Sequence, residues 1–332
     1  MKPHDRILGN GGALTRLKML HAPDLPHGGS TQSNFPEDLR VRFKEIGQRL
    51  AAFRKGTGLS AADVAERLGI SRSNLYRMEN GEIAKIETLY RLSEVLCVSV
   101  NSLLGIGIEF IANAVAFFER VRQIDSEAQK IVNFFGPVSY LLTSDGFDAL
   151  LRDVLSEALP TTVETPAAHR QVHQILEILA VRKADYRRRS PDIVTLVSIT
   201  EIENFLRFGL LGHLDLPESV RRERRRLAVE EAERIAKLME ALPIGVQAGI
   251  FPDALPSTPF QITRQVGGRT ILQISPFRLG TQPNIRVGVA MITDAEEAVR
   301  LYENIADDLW SRAIKGRDGA DIIRGLIRRF AE

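Results

Sequence analysis

The stretch LSAADVAERLGISRSNLYRMENG at residues 59–81 constrains the chain more tightly than any other. Two serines able to start helices, Ser60 and Ser71, stand eleven residues apart with Gly69 between them. Ser60 followed by Asp63 has the spacing of a capping box, in which the serine oxygen takes an orphan backbone N–H and the carboxylate reaches back. Val64 and Leu68 supply an apolar face, and Ala65 is small where another helix must cross closely. Gly69 can take the left-handed conformation that ends a helix and turns the chain sharply. Ser71 then caps a second helix whose Leu75 and Met78 face inward beside Ile70. A buried helical hairpin would carry longer arms with an apolar stripe on each. Here the second arm carries Arg72, Ser73, Asn74, Tyr76 and Arg77, a polar surface rather than a core face.

The order Ala65, Gly69, Leu75, Met78 is the spacing of a helix-turn-helix, whose fixed crossing angle leaves the second helix's outer face free to enter a major groove. Together with the following IETLYRLSEVLCVSVNSLL, the stretch resembles the lambda-repressor-like, XRE-family helix-turn-helix domain over about residues 40–105. The resemblance implies an all-α five-helix DNA-binding domain. By position, Arg72, Ser73 and Arg77 match the family's base-facing residues, with Asn74 and Tyr76 beside them. Arginine suits guanine because its planar fork reaches O6 and N7 together, a contact that discriminates by ~1–3 kcal/mol. Arg54 and Glu79 match a charged pair that braces the first helix to the third, and Ala65, Gly69, Leu75 and Met78 complete that brace. The sequence departs from the family at Ala61, where a phosphate-touching glutamine is common. Ser60, Ser71 at the helix start and Lys85 are left to hold phosphate.

The 332 residues exceed one ordinary core and imply two or three domains. A formal net charge of +2 excludes a bulk polyelectrolyte, so nucleic acid must be met by a local patch. Even residues 37–104 hold only 11 Lys and Arg against 9 Asp and Glu. The single cysteine, Cys97, excludes an internal disulfide and a multi-cysteine zinc site, and its apolar neighbours Val95, Leu96 and Val98 predict a small buried hydrophobe. No run approaches the ~20 apolar residues of a membrane span. Glycine and proline interrupt the N-terminus, unlike a signal peptide, so a cytoplasmic location is expected.

Composition divides the chain further. Residues 1–36 read as a flexible N-terminal arm, with Lys2, Arg6, Arg16 and Lys18 solvated. Residues 37–105 form the helix-turn-helix domain, and Gly105-Ile106-Gly107 is the expected hinge. Residues 106–190 read as a helical connector and dimerisation region, helix-rich from Glu109 to Glu157 and again from His169 to Arg187, with a loop at 160–168. A helix over 109–135 offers Phe110, Phe117, Phe118, Val121, Phe134 and Phe135 either as a pairing surface or as domain core. Residues 191–332 read as an α+β or α/β sensor domain. The strands there are DIVTLVSI, IGVQAGIF, FQITRQV, RTILQISPF and IRVGVAMIT, with Gly267-Gly268 as a hairpin turn. Helices follow at 218–242, from a cap at Asp294 to about Lys315, and at 319–330, with Tyr302, Ile305, Leu309 and Trp310 packing inward.

Arg264, Arg269, Arg278 and Arg286 lie on or beside strands, where they suit either outward positions or a carboxylate or phosphate ligand. The loop SPFRLGTQPNIR gathers Arg278, Gln282 and Asn284 and is the best place for a polar pocket, so Arg264, Arg278, Gln282, Asn284 and Arg286 form the candidate ligand set. His169 and His173 lack the intervening glutamate of a zinc-protease helix, since Arg170 stands there. VGGRT has no phosphate-loop lysine, and no catalytic triad can be assembled. No catalytic residue, metal or cofactor is expected. The resemblance and the domain order imply a regulator that binds double-stranded DNA as a homodimer and senses a small-molecule effector, with the ligand acting through the 105–108 hinge. The alternatives are an antitoxin-like or scaffold protein whose C-terminal region binds a partner, and a C-terminal enzyme, which would need a deep pocket of titratable groups.

Overall fold

Residues 37–82, 85–134, 136–159, 166–213, 215–252 and 258–330 are described by the computed structural model. The predicted arm at 1–36, Phe135 and residues 160–165 of the predicted loop lie outside them.

The chain begins with helices α1 (Glu37–Thr57), α2 (Ala61–Leu68), α3 (Arg72–Glu79), α4 (Ile86–Leu96) and α5 (Val100–Leu104). Their apolar faces meet in one core containing Leu50, Phe53, Val64, Leu68, Leu75, Leu92 and Leu103. Ser99 caps α5 through its Oγ, which accepts the Ser102 N–H at 3.0 Å, and Gly105 ends it at φ 67°. Cys97 departs from its expected buried role. It takes the left-handed C-cap of α4 at φ 54° and is exposed.

The predicted helix at 109–135 does not exist as one element. Residues Ile108–Ile111 form strand β1, Asn113 caps helix α6 (Ala114–Asp125) through its side chain, and Ala128–Phe134 form strand β2. The helical spacing of apolar residues belongs to α6 alone; Phe110 and Phe134 lie on strands to either side of it. Phe117, Phe118, Val121 and Phe134 are buried, whereas Phe110 is 53% exposed. Only Phe110 of that set is therefore available as a pairing surface among the described residues.

A 3-10 turn at Tyr140–Leu142 and helices α7 (Asp145–Glu157) and α8 (Pro166–Arg189) follow. Strand β3 (Asp192–Ser198), helices α9 (Ile199–Phe208) and α10 (Glu218–Ala241), and strands β4 (Val246–Phe251), β5 (Phe260–Gln265), β6 (Thr270–Ile274) and β7 (Ala290–Thr293) come next. Helix α11 (Glu296–Arg312), strand β8 (Ile314–Lys315) and helix α12 (Gly316–Phe330) end the described chain. The strands join in one eight-stranded sheet of order β1-β7-β6-β5-β2-β3-β4-β8. Only β2, β3 and β4 run parallel, as crossovers through helices require. The antiparallel half begins where β5 pairs with β2. Because β1 and β2 belong to this sheet, residues 106–190 are part of the mixed helix-and-sheet region and not a connector before it.

The expected hairpin joins β5 to β6, with Gly268 at φ 83° in its turn. Asp294 does not cap α11. Its carboxylate takes Arg269 at 2.7 Å, and the N-cap position falls on Ala295. Leu309 is buried, Tyr302 and Trp310 pack against that core, and Ile305 is 41% exposed. Among the described residues, no helix is long and apolar enough to cross a membrane.

The expected hinge is pinned. Arg49 of α1 is 2% exposed and its guanidinium lies over Gly105, so a Cβ there would come within 2.2 Å of it. The Arg49 Nε donates to Glu109 of β1 at 2.7 Å, and Arg120 of α6 donates to the same carboxylate at 2.9 Å. Thr293 also donates its Oγ1 proton to the Gly107 carbonyl at 2.9 Å. A segment held from three elements in this way has no free rotation to offer between the two regions.

Candidate nucleic-acid interface and interior cavity

The α2–α3 unit is set by local chemistry. Ser60 Oγ accepts the Asp63 N–H at 3.1 Å and Asp63 returns the bond to the Ser60 N–H at 2.9 Å. These bonds to Ser60 hold the Asp63 carboxyl below its ordinary range. Gly69 ends α2 at φ 67°, ψ 33°, and the Ile70 N–H closes the turn on the Ala65 carbonyl at 3.0 Å. Ser71 Oγ accepts the Asn74 N–H at 3.1 Å and starts α3.

Leu75 and Met78 anchor α3 in the core with Ala65, and Gly47 of α1 lets the end of α3 approach. A Cβ on Gly47 would stand 2.4 Å from the Glu79 carbonyl oxygen. Arg54 clasps the Glu79 carboxylate with two bonds, at 2.5 and 3.0 Å, and its hydrogen bond with Glu79 raises the Arg54 pKa. The α1–α3 angle is thus fixed by a close backbone contact and a two-pronged ion pair.

With the inner face committed, the outer face of α3 presents Arg72, Ser73, Asn74, Tyr76 and Arg77, all exposed. Ser60, Ser71 and Lys85 are exposed around it. Ala61 is buried at 6%, so its position serves the core and does not reach outward. Sequence reasoning missed Glu82, which holds Arg77 through Nε at 2.7 Å. Both groups are solvated, so the pair is a weak parking place for a side chain that must find another acceptor. The sequence separation of five residues was its only signal.

The candidate ligand residues do not converge. Arg264 pairs with Glu303 at 3.2 Å on the surface, and Arg286 is exposed and does not line the cavity reached by Arg278 and Gln282. Arg269 joins Asp294 and Glu45 instead of a ligand. Asn284 holds its own loop together, donating to the Pro276 and Val287 carbonyls at 3.0 and 2.7 Å. Arg278 and Gln282 do reach a cavity of about 420 Å³, where they are exposed at its rim with Thr200 and Phe208.

That cavity lies at the carboxyl ends of parallel strands β2 and β3, beside antiparallel β5, where open mixed sheets leave a crevice. Phe117, Phe118 and Val121 of α6 form one wall. The floor is polar: Arg182 of α8, 8% exposed, is paired with Asp125 at 2.7 Å and donates to Gln261 at 3.1 Å. Gln261 in turn donates to Asp125 at 2.9 Å and Thr263 at 3.0 Å. Thr281 Oγ1 is buried with no hydrogen-bond partner. The Glu201 carboxylate lines the cavity with no hydrogen bond or ion pair among the described residues. Of the wall, Phe117, Phe118 and Val121 were expected as core or pairing residues, but none of these polar groups was singled out from the sequence. Asp125, Arg182 and Gln261 are far apart in sequence, and their only trace was two polar residues, Gln261 and Thr263, alternating in a strand whose polar face is buried.

His173 Nδ1 lies 3.3 Å from Glu177 on an exposed helix face, and among the described residues no group of His, Cys, Asp or Glu is placed to hold a metal ion.

Comparison with known proteins agrees with the geometry of the N-terminal helices. A family model described as a helix-turn-helix domain matches residues 45–103. The HTH-type transcriptional regulator SinR of Bacillus subtilis (strain 168) is 36% identical over 89 residues, covering 26% of this chain and 73% of SinR. The match takes in the capped α2–α3 pair and its α1 brace, and the chain belongs to the XRE-like family of helix-turn-helix transcriptional regulators.

Proposed function

We propose that the chain is a sequence-specific transcriptional regulator that binds double-stranded DNA with the outer face of α3, as a homodimer, and responds to a small molecule. The observation that carries the DNA reading is the contrast between the faces of α3. Leu75 and Met78 are buried, whereas Arg72, Ser73, Asn74, Tyr76 and Arg77 are exposed on a helix held at fixed angle by Gly47 and by Arg54–Glu79. Arg72 and Arg77 serve as base readers, with Ser73 and Asn74 beside them. Ser60, Ser71 and Lys85 take phosphates, using the N-terminal N–H groups of α2 and α3. The near-neutral charge of the chain makes this local surface the source of affinity. The five helices α1–α5, in the order and with the caps of a lambda-repressor-like domain, support the same reading.

A homodimer supplies the second half-site contact that one small reading head lacks. Its pairing surface is strand β1, the edge of the sheet, where Ile108 and Phe110 are 40% and 53% exposed, with Ile106 just before the strand 59% exposed. An uncovered apolar edge strand is a template for pairing, and a second copy offers the same edge in antiparallel sense. Effector sensing is supported by the cavity at the ends of β2 and β3, whose volume of about 420 Å³ falls in the range of small-molecule sites.

Selection of binding sites from sheared genomic DNA tests the DNA reading, with wild type beside Arg72→Ala/Arg77→Ala at fixed salt. Wild type is expected to enrich a two-fold related site that the double variant loses. Equal, sequence-independent retention by both proteins would reject it.

A further inference from the structure

Helix α6 faces both the cavity and the DNA-reading helices, and the two faces are opposite. At 3.6 residues per turn, Phe117, Phe118, Val121 and Asp125 fall within about 100° of its circumference, and Ala116, Glu119, Arg120 and Gln123 within about 100° on the far side. The first set forms the cavity wall and, through Asp125, grips Arg182 in the cavity floor. The second set holds α1. Lys55 reaches Glu119 at 2.8 Å, Gln123 donates to the Gln48 carbonyl at 3.0 Å, and Arg120 shares Glu109 with Arg49. Ala116 meets α1 where Gly56 has no side chain, since a Cβ there would lie 2.7 Å from it.

The cavity also states what it accepts. Its one buried cation, Arg182, is already neutralised by Asp125, and Arg278 sits at the exposed rim with its Nε committed to the Gln282 carbonyl at 3.1 Å. The lining keeps an unpaired carboxylate, Glu201, and an unpartnered hydroxyl, Thr281. A phosphate or carboxylate would meet no free buried cation and would face Glu201. Six aromatic rings, Phe117, Phe118, Phe134, Tyr140, Phe208 and Phe277, suit a flat apolar body.

We propose that the cavity binds a neutral or cationic molecule with an aromatic body, its polar end toward Glu201 and Thr281, and that α6 carries occupancy to the reading head. This rests on the effector-sensing reading above. The molecule packs against Phe117, Phe118 and Val121 only while α6 is seated, so it favours the arrangement in which α6 clamps α1. Any opening of α1 that needs α6 to move must first release the ligand.

Hydrogen–deuterium exchange on the full chain tests this, with tryptamine, tryptophol and indole-3-acetate as matched cationic, neutral and anionic probes. At ten times Kd, a molecule bound only to the seated state slows such openings by about tenfold. Tryptamine and tryptophol are expected to bind more tightly than indole-3-acetate and to slow exchange in both α6 and α1. Asn204→Trp, which fills the cavity from α9, abolishes both effects, and Thr200→Trp at the rim serves if that variant does not fold. In Glu119→Gln the probes still protect α6, while protection of α1 falls. Preference for indole-3-acetate, or failure of all three probes to bind at millimolar concentration, overturns the ligand assignment. So does binding that survives in a folded cavity-filled variant. Protection confined to α6 in wild type overturns the lever. Affinity for the selected DNA site, measured in the same samples, separates the two readings. Protection of α1 without a change in DNA affinity upholds the lever and rejects effector sensing. A change in DNA affinity without protection of α1 upholds sensing and rejects the lever.

Discussion

Replacing Glu109 by glutamine removes one charge from the buried end of a chain of alternating ions. Asp294, Arg269, Glu45, Arg49, Glu109 and Arg120 follow one another from β7's end through α1 and β1 to α6, three acids against three arginines. Glu109, Arg49 and Arg120 are 5%, 2% and 4% exposed, so water cannot replace the lost carboxylate. Glu109→Gln leaves two buried guanidiniums sharing a neutral amide, with Glu45 alone still on Arg49. Breaking a buried pair by removing one partner costs about 3–5 kcal/mol. Urea unfolding followed by far-ultraviolet dichroism and by fluorescence of the single tryptophan, Trp310 on α11, reads the loss. Burial pushes the Glu109 pKa up, but Arg120 and Arg49 outweigh it and hold the carboxyl below its ordinary value. Its contribution is therefore complete above the unfolded glutamate pKa of about 4.3 and is lost as pH falls through the lower folded value. The gap between wild type and Glu109→Gln should thus close in acid. Arg49→Met/Glu109→Leu/Arg120→Met should recover stability to within about 1 kcal/mol of wild type or exceed it, since well-packed apolar replacements of a buried triad are neutral or better. A loss below about 1 kcal/mol for Glu109→Gln at neutral pH, the scale of a solvated pair, would refute the claim that the cluster is desolvated.

Gly47→Ala drives a Cβ to within 2.4 Å of the Glu79 carbonyl and should cost about 1–3 kcal/mol in urea unfolding while weakening DNA binding through the tilt of α3. Ser71→Ala removes the α3 cap and should cost about 1 kcal/mol by the same assay, whereas Ser71→Asp should retain the cap. Phe110→Asp, at an exposed edge position, should leave the fold intact and convert the proposed dimer to monomer in sedimentation velocity; an unchanged sedimentation coefficient would rule out pairing through β1.

Features governed by neighbours in sequence were legible, and those governed by distant partners were not. Ser60, Ser71 and Ser99 sit at helix starts, and Gly69 and Gly105 at left-handed ends, because capping is settled within four residues. The Gly267-Gly268 hairpin is local in the same sense. Strand β1 was hidden because IEFI is four residues long and adjoins the apolar spacing of α6; only Asn113 marks the break. Cys97 looked like core because its neighbours are apolar, yet the turn after α4 rotates it outward. The arginines at the strands were individually visible, but charge partners such as Glu303 for Arg264 and Glu45 for Arg269 come from elements far away in sequence. The cavity was least legible of all. It is assembled from α6, α8, α9 and four strands, and nothing in the strand FQITRQ shows that Gln261 and Thr263 are buried against Asp125.

The central claim is that the outer face of α3 reads bases, and a mutant cycle tests it most directly. On the selected DNA site, the affinities of wild type and Arg72→Ala are measured at fixed salt against the natural sequence and against each single base-pair change in one half-site. Wild type should lose ~1–3 kcal/mol at the pair that Arg72 contacts, and Arg72→Ala should lose nothing further there while keeping its discrimination at other positions. A uniform loss across all sequences, with the base preferences of wild type intact, would make Arg72 a phosphate contact and contradict the account.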